Sequence, residues 1–243
     1  MTGQPLRIAM WSGPRNMSTT MMRSFGARSD SQCVDEPFYA AYLKATGLQH
    51  PMSEEIFASQ SAVPDQVIAA LTGPIEPASS VFYQKHMTHH MVAEIPRDWM
   101  SACRNVFLIR HPARVIPSYA RKMETVSLEA IGFPQQLSLF ERAAELEGQS
   151  PLVIDSTDIL RAPEDKLRTL CSALNIEWQP AMLAWSAGPK PEDGAWAPHW
   201  YDAVWKSTGF AGAPAELPEV PEAHLAIYEQ ALAIYDTLAA HRL

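Results

Sequence analysis

The chain has 243 residues, of which 47% are hydrophobic and 19% charged, with twenty prolines, eleven glycines and a formal net charge of −8. That composition belongs to a packed globular chain at the upper size of one domain, and it excludes a disordered, collagen-like or disulfide-scaffold protein. An acidic balance of this size also argues against general nucleic-acid or anionic-membrane binding.

Residues 6–12, LRIAMWS, are a short apolar run that stops at Ser-Gly-Pro, which predicts a buried strand feeding a turn. Ser18, Thr19 and Thr20 can cap the helix that follows, with Met21, Met22 and Phe25 on its apolar side. Gln32 to Asp35 reads as a second strand, broken by Glu36-Pro37. Residues 38–72 read as two or three helices punctuated by Pro and Gly. VFYQK (81–85) is a third strand and NVFLIR (105–110) a fourth, after which His111-Pro112 opens a helix. Residues 134–147 are expected to be helical, and PLVID (151–155) is a fifth strand. A helix over 163–174 places Leu167, Leu170, Cys171 and Leu174 on one side, which makes Cys171 core filler. Residues 187–221, rich in Pro, Gly, Ala and Trp, read as ordered loop. The last helix, about 222–239, puts Leu225, Tyr228, Leu232 and Tyr235 at helical spacing.

Strands alternating with helices predict a three-layer α/β domain, a central and mostly parallel sheet with helices on both faces. No repeat or linker is visible, so residues 1–243 are expected to form one domain. No stretch approaches the roughly 20 apolar residues of a membrane span. The first residues show no cationic segment followed by a long apolar one, so no signal peptide is expected. Cys33, Cys103 and Cys171 form no CxxC pair and read as reduced thiols of a cytoplasmic protein.

The charges are unevenly placed. Residues 1–29 hold Arg7, Arg15, Arg23 and Arg28 and no acid, and residues 99–123 hold Arg104, Arg110, Arg114, Arg121 and Lys122 and no acid. Those 54 residues carry +9, while the other 189 carry −17. Two basic islands in an acidic chain point to one local site for a small, highly charged anion, the alternative being solvated Arg faces of amphipathic helices.

The segment Gly13-Pro14-Arg15-Asn16-Met17-Ser18-Thr19-Thr20 joins the first strand to a helix start. Backbone N–H groups at such a terminus, with the positive end of the helix dipole, bind phosphate-like anions. The spacing is close to a P-loop, but Ser18 stands where the second Gly would be, Thr19 where the Lys would be, and the cation has moved inside to Arg15. That weakens an ATPase reading. In the second island, Arg110 ends the fourth strand and Ser118 lies eight residues on, two turns into the next helix. An Arg and a hydroxyl converging there would hold a second phosphate with bidentate charge-assisted bonds.

Here the sequence resembles the sulfotransferases that use 3′-phosphoadenosine 5′-phosphosulfate. Pro14-Arg15-Asn16-Met17-Ser18-Thr19 is similar to their 5′-phosphosulfate loop, and Arg110-x-Pro112 followed by Ser118 to their 3′-phosphate motif. The stretch from Leu152 to Leu174, with Asp158, Leu160 and Pro163, resembles the segment that follows that motif. Met17 replaces the loop Gly, so the backbone there must accept a side chain. The family's basic Gly-rich C-terminal motif is absent in recognisable form, and Lys206-Ser207-Thr208-Gly209-Phe210 is the candidate stand-in. The resemblance implies a P-loop-like domain that binds the donor through Gly13, Arg15, Asn16, Met17, Ser18, Thr19, Thr20, Arg110, Ser118 and Lys206.

Sulfuryl transfer is an in-line displacement in which positioning and fixed positive charge do most of the work, so no metal is expected. Arg15 is expected on the leaving-group side. Two residues compete for general base. His86 follows the third strand, where the resembled family often has a catalytic His beside a Lys, and imidazole has a suitable pKa. Glu36, after the second strand, is the rival. His86 and His90 would share a helical face as metal ligands only if that segment were helical, and no HExxH or nearby Cys supports it. His89 and His90 are expected to line the acceptor pocket or face solvent. Trp185, Trp196, Trp200, Tyr201 and Trp205 read as core packing of a long loop, with an aromatic lid as the alternative.

The expected activity is sulfuryl transfer from 3′-phosphoadenosine 5′-phosphosulfate to a hydroxyl or amine of a small acceptor, with no nucleic-acid or membrane partner. A P-loop kinase or hydrolase, for which Asp155 could pass as a magnesium-site carboxylate, and a non-catalytic nucleotide-binding module are the alternatives. The acceptor pocket is expected from residues 38–72 and 187–221. Oligomeric state is not legible.

Overall fold

The structure is a computed structural model that describes residues 5–123, 125–213 and 215–243. Among these, five strands form one sheet: β1 (Leu6–Ser12), β2 (Ser31–Asp35), β3 (Val81–Met87), β4 (Arg104–Ile109) and β5 (Leu152–Asp155). Their order is β2-β3-β1-β4-β5, and every pair is parallel. The connections carry α1 (Ser18–Gly26), α2 (Tyr39–Thr46), α3 (Ser53–Ser59), α4 (Pro64–Thr72), α5 (Pro112–Ala120) and α6 (Phe133–Glu147). After β5 come α7 (Ser156–Arg161), α8 (Pro163–Ala173), two single-turn helices α9 (Ala197–Trp200) and α10 (Asp202–Trp205), and the closing α11 (Leu225–Ala239).

Parallel strands covered on both faces read as continuous apolar runs, and β1 shows why. Ile8 and Met10 enter one buried cluster with Met21, Met22 and Phe25 of α1 and Leu167 and Leu170 of α8. Ala9 and Trp11 enter the opposite cluster with Leu139 of α6 and Leu238 of α11. Two cores separated by one sheet make the three-layer architecture expected from the alternation of elements. Cys171 sits in the first core, as its helix position predicts, and all three cysteines are free. Among the described residues no helix is long and apolar enough to cross a membrane.

Three local expectations change. The third strand does not end at Lys85 but continues through His86 to Met87, because β1 pairs with it residue for residue to Ser12–Met87. The segment read as loop over 187–221 holds α9 and α10. The start of α1 is capped by Met17 in a left-handed conformation (φ 68°), without a side-chain cap bond. Ser18, Thr19 and Thr20 are the helix's first residues, not its cap.

Candidate active site

The chain crosses from one half of the sheet to the other at β1, which lies between β3 and β4. Open α/β sheets bind ligands at such a switch point, beyond the carboxyl ends of the strands. A cavity of about 270 Å³ opens there, lined by the loop after β1, Arg110 after β4, Glu36 after β2 and Lys85 of β3.

One wall is cationic. Arg15 (φ 64°) and Met17 (φ 68°) both adopt left-handed backbone that favours glycine, so the loop carries local strain and Met17 does accept the conformation of the glycine it replaces. The first intrahelical bond runs from the Met21 amide to the Met17 carbonyl at 3.1 Å. The amides of Ser18, Thr19 and Thr20 therefore belong to the turn that has no intrahelical acceptor, at the positive end of the helix dipole. Arg15 Nε donates to Ser118 Oγ at 3.0 Å, and Arg110 Nη1 donates to the Arg15 carbonyl at 2.5 Å. These two bonds tie Arg15 of the first island to Ser118 and Arg110 of the second, while Arg23, Arg28 and Arg104 are held away from the cavity by Asp193, Asp30 and Glu147. Burial, then the neighbouring Arg121, lower the Arg15 pKa. Burial, then Arg114 and Arg15, bring Arg110 down to about 10. Crowded guanidinium groups of this kind are relieved by a bound anion. Asn16 is buried, donates through Nδ2 to the Leu108 carbonyl at 3.3 Å, and leaves Oδ1 without a partner.

The facing wall is a buried ionic cluster. Lys85 Nζ donates to Asp35 Oδ1 at 2.7 Å, to Glu36 Oε1 at 2.5 Å and to the Tyr201 hydroxyl at 2.9 Å. The Tyr201 hydroxyl donates onward to Asp35 Oδ2 at 2.6 Å. Asp35 ends β2, and Glu36 turns its backbone to φ 39° while its amide donates to the Lys85 carbonyl at 2.9 Å. That left-handed step lets adjacent acids both reach one ammonium. Burial pushes Glu36 up to about 7, against the opposing pull of Lys85. The two acids keep Lys85 well above its ordinary value although burial opposes them. Glu36 is thus a buried carboxylate poised to change protonation near neutrality, which is what a general base requires.

Of the residues expected in the site, Arg15, Asn16, Met17, Ser18, Thr19, Thr20, Arg110 and Glu36 line the cavity. Ser118 stands behind Arg15 as its hydrogen-bond partner. Gly13 lies below the loop, where a Cβ would come within 2.5 Å of the Ile131 carbonyl oxygen, so glycine is required for close backbone approach. Lys206 is exposed and lies outside the cavity, whose lining lysines are Lys85 and Lys122.

His86 also lies outside the cavity. Its ring stacks on Trp11 at 4.5 Å, its Nε2 contacts Gln84 Oε1 at 3.2 Å, and burial pushes it down to about 3. Alternation along β3 turns it into the α6 side of the sheet, away from Lys85. Asp155 has a structural role: Oδ1 caps α7 by accepting the Thr157 amide at 2.6 Å, and Oδ2 accepts the Tyr235 hydroxyl at 2.6 Å.

His89 and His90 line the cavity, as do Tyr39 and His50 from the helical segment after β2 and Trp196, Trp200 and Tyr201 from the Trp-rich segment. The aromatic segment is both core and wall: Trp196 is buried and donates to the Tyr201 hydroxyl at 3.3 Å. Lys85, Asp35 and Tyr201 were not singled out from sequence as a unit. A lysine inside the strand VFYQKHM and a pair of acids at a strand end are signals that could have done so, whereas Tyr201 lies 166 residues from Asp35 and had none.

Comparison with known proteins gives the family and the fold. Residues 6–242 match the family model described as "Sulfotransferase domain". The chain is 37% identical over 236 residues to "Branched-chain-amino-acid aminotransferase-like protein 2" of Arabidopsis thaliana, covering 96% of this chain and 41% of that protein. The chain thus spans less than half of that relative. Among solved structures, a "Sulfotransferase Domain from the Curacin Biosynthetic Pathway" superposes with TM-score 0.55 at 16% identity, covering 94% of this chain and 98% of that one. A sulfotransferase from Alicyclobacillus acidocaldarius superposes with TM-score 0.55 at 12% identity, covering 99% and 98%. These last likenesses establish the shared fold. With the matched model running nearly from end to end, the chain belongs to the sulfotransferase domain family.

Proposed function

We propose that the chain transfers a sulfuryl group from 3′-phosphoadenosine 5′-phosphosulfate to a hydroxyl or amine of a small acceptor, with Glu36 as the general base. The observation that carries this reading is a single cavity with free helix-terminal amides and Arg15 on one wall and a carboxylate of pKa about 7 on the other. The amides of Ser18 to Thr20 and Arg15 suit the 5′-phosphosulfate, because they present N–H donors and fixed charge where the leaving phosphate gains charge. Arg110, with Ser118 next to Arg15, suits the 3′-phosphate. Glu36 would take the acceptor proton as the acceptor oxygen or nitrogen attacks sulfur and the bond to the phosphate oxygen breaks.

Lys85 and Tyr201 hold the carboxylates in place rather than reacting. The Lys85 ammonium offsets the repulsion between the two adjacent acids, and the Tyr201 hydroxyl ties the segment around α9 and α10 to Asp35. Asp155 is committed to a helix cap and to Tyr235, which removes the sequence feature that best supported a magnesium-dependent kinase.

Calorimetric binding of 3′,5′-adenosine bisphosphate, ADP and ATP, each with and without magnesium, tests the donor half. Tight bisphosphate binding, indifferent to magnesium and well above ADP, is the expected result. Magnesium-dependent ATP binding with no preference for the bisphosphate would overturn it.

A further inference from the structure

His90 lies beside Glu36 on the cavity wall and is not used by the mechanism above. Its ring is clamped between Tyr39 and Tyr42, with centroids 4.5 and 4.8 Å away and planes within 23° and 24°. The clamp fixes the plane of the ring, and in this orientation Nε2 faces Glu36. Nδ1 is buried and has no hydrogen-bond partner among the described residues. A buried N–H without an acceptor is rarer and costlier than an unused acceptor lone pair, so the ring's proton belongs on Nε2. Nε2 stands 4.0 Å from Glu36 Oε2.

A gap of 4.0 Å is too long for a hydrogen bond, yet one oxygen atom can sit about 2.8 Å from both sides of it. We propose that this gap receives the acceptor's reacting oxygen, that His90 Nε2–H donates to it, and that the acceptor is therefore a hydroxyl compound and not an amine. This rests on the sulfuryl-transfer reading and narrows it. A hydroxyl has one proton and two lone pairs. Its proton points to Glu36, one lone pair accepts from His90, and the other attacks sulfur. The new O–S bond forms, the proton passes to Glu36 Oε2, and the S–O bond to phosphate breaks with its electron pair on the phosphate oxygen. A neutral amine has a single lone pair. Given to His90 it cannot attack, and turned toward sulfur it leaves the His90 donor facing an N–H. Burial and the neighbouring His89, His50 and Lys85 hold the ring neutral, so it stays a donor without becoming a competing acid.

The experiment has two arms. Histidine-15N NMR of the protein, with His90 assigned by its loss in His90→Gln, reads the tautomer directly. Nε2–H with bare Nδ1 is expected, and an Nδ1–H or doubly protonated ring overturns the proposal. The second arm compares turnover of 2-naphthol with 2-naphthylamine, and of 1-butanol with 1-butylamine, following bisphosphate release. Hydroxyl acceptors should exceed their amine partners by about a hundredfold or more, since a buried donor left unsatisfied costs up to about 3 kcal/mol. Equal turnover of the amines overturns the proposal. His90→Phe, which keeps the stack, should lower kcat/KM for the hydroxyl probes about tenfold or more, with His90→Gln partly restoring it and bisphosphate affinity unchanged in both. Wild-type turnover by His90→Phe overturns the proposal. If the bisphosphate binds and no probe is turned over, the transfer reading fails by itself, and the NMR arm still decides where the His90 proton lies.

Discussion

Lys85 and His86 are neighbours in β3, and their side chains leave opposite faces of the sheet: Lys85 bonds Glu36 at 2.5 Å in the cavity, while His86 stacks on Trp11 at 4.5 Å in the core. The period of two along a strand allows no other outcome once β3 pairs with β1 as far as Met87. Of the two candidate bases, Glu36 lines the cavity and His86 does not, which is why the proposed reaction uses Glu36.

Glu36→Gln keeps the size and the Lys85 contact but cannot accept a proton. Its turnover should fall by about 10²–10⁴, with bisphosphate affinity preserved. His86→Phe keeps the stack on Trp11 and removes the partner of Gln84. It should retain turnover per folded molecule and lose about 1–3 kcal/mol of stability in denaturant unfolding. Loss of turnover in His86→Phe with Glu36→Gln active would restore His86 as the base.

The pH–rate profile should carry one ascending limb near neutrality. A base must be ionised, and burial sets Glu36 to about 7, so kcat/KM should rise through that pH and level off above it. A limb centred near 4.5, the ordinary carboxylate value, would show that the buried cluster does not govern the reaction.

Stability should fall in acid. Burial lowers His86 and His89 from 6.5 to about 3, so the stability tied to their neutrality is full above pH 6.5 and is lost as pH falls toward 3. Glu36 acts in the other direction, its contribution being full below 4.5 and lost as pH rises through about 7. His90, His50 and His111 are also depressed, so five imidazoles oppose one carboxylate and the net slope is downward on acidification. Thermal unfolding from pH 7 to pH 4.5 should show a falling Tm, shallower in His86→Phe.

Arg15→Ala and Arg110→Ala should each weaken bisphosphate binding by about 1.5–3 kcal/mol, the usual cost of a charged hydrogen bond. The two should be less than additive, because Arg110 bonds the Arg15 carbonyl and holds the loop that Arg15 sits on. Calorimetry on the single and double variants decides this. Lys206→Ala should leave affinity unchanged, since that side chain lies outside the cavity.

Gly13→Ala tests the loop's foundation. A methyl group there would meet the Ile131 carbonyl oxygen at 2.5 Å, and backbone cannot step aside as a side chain can. A loss of about 1–3 kcal/mol is expected, with weaker bisphosphate binding as the loop shifts. Wild-type stability would show that the loop and Ile131 separate freely.

Much of this molecule was legible as a string of residues. Apolar runs located β1, β3, β4 and β5, because a parallel strand covered on both faces reads as a continuous hydrophobic stretch, while the half-buried edge strand β2 was marked by the Glu36-Pro37 break that follows it. The two acid-free islands located the cationic wall, since local charge density survives any folding of the chain. The sequence placed Ser118 two turns into the helix after Arg110, on a face those two could share, whereas packing brings its hydroxyl to Arg15 Nε instead. Tertiary structure alone decided the rest. Whether His86 faced the cavity depended on where β3 stops, and that is set by pairing with β1, not by the composition of VFYQKHM. Whether Lys206 or Lys122 reached the cavity depended on how a long loop folds back. The Lys85–Asp35–Glu36–Tyr201 cluster joins residues far apart in sequence, and the raised pKa of Glu36 comes from burial among them. Periodicity and charge are local and can be read along the chain, whereas side-chain direction at a strand end, desolvation and long-range ion pairing arise only when the elements pack.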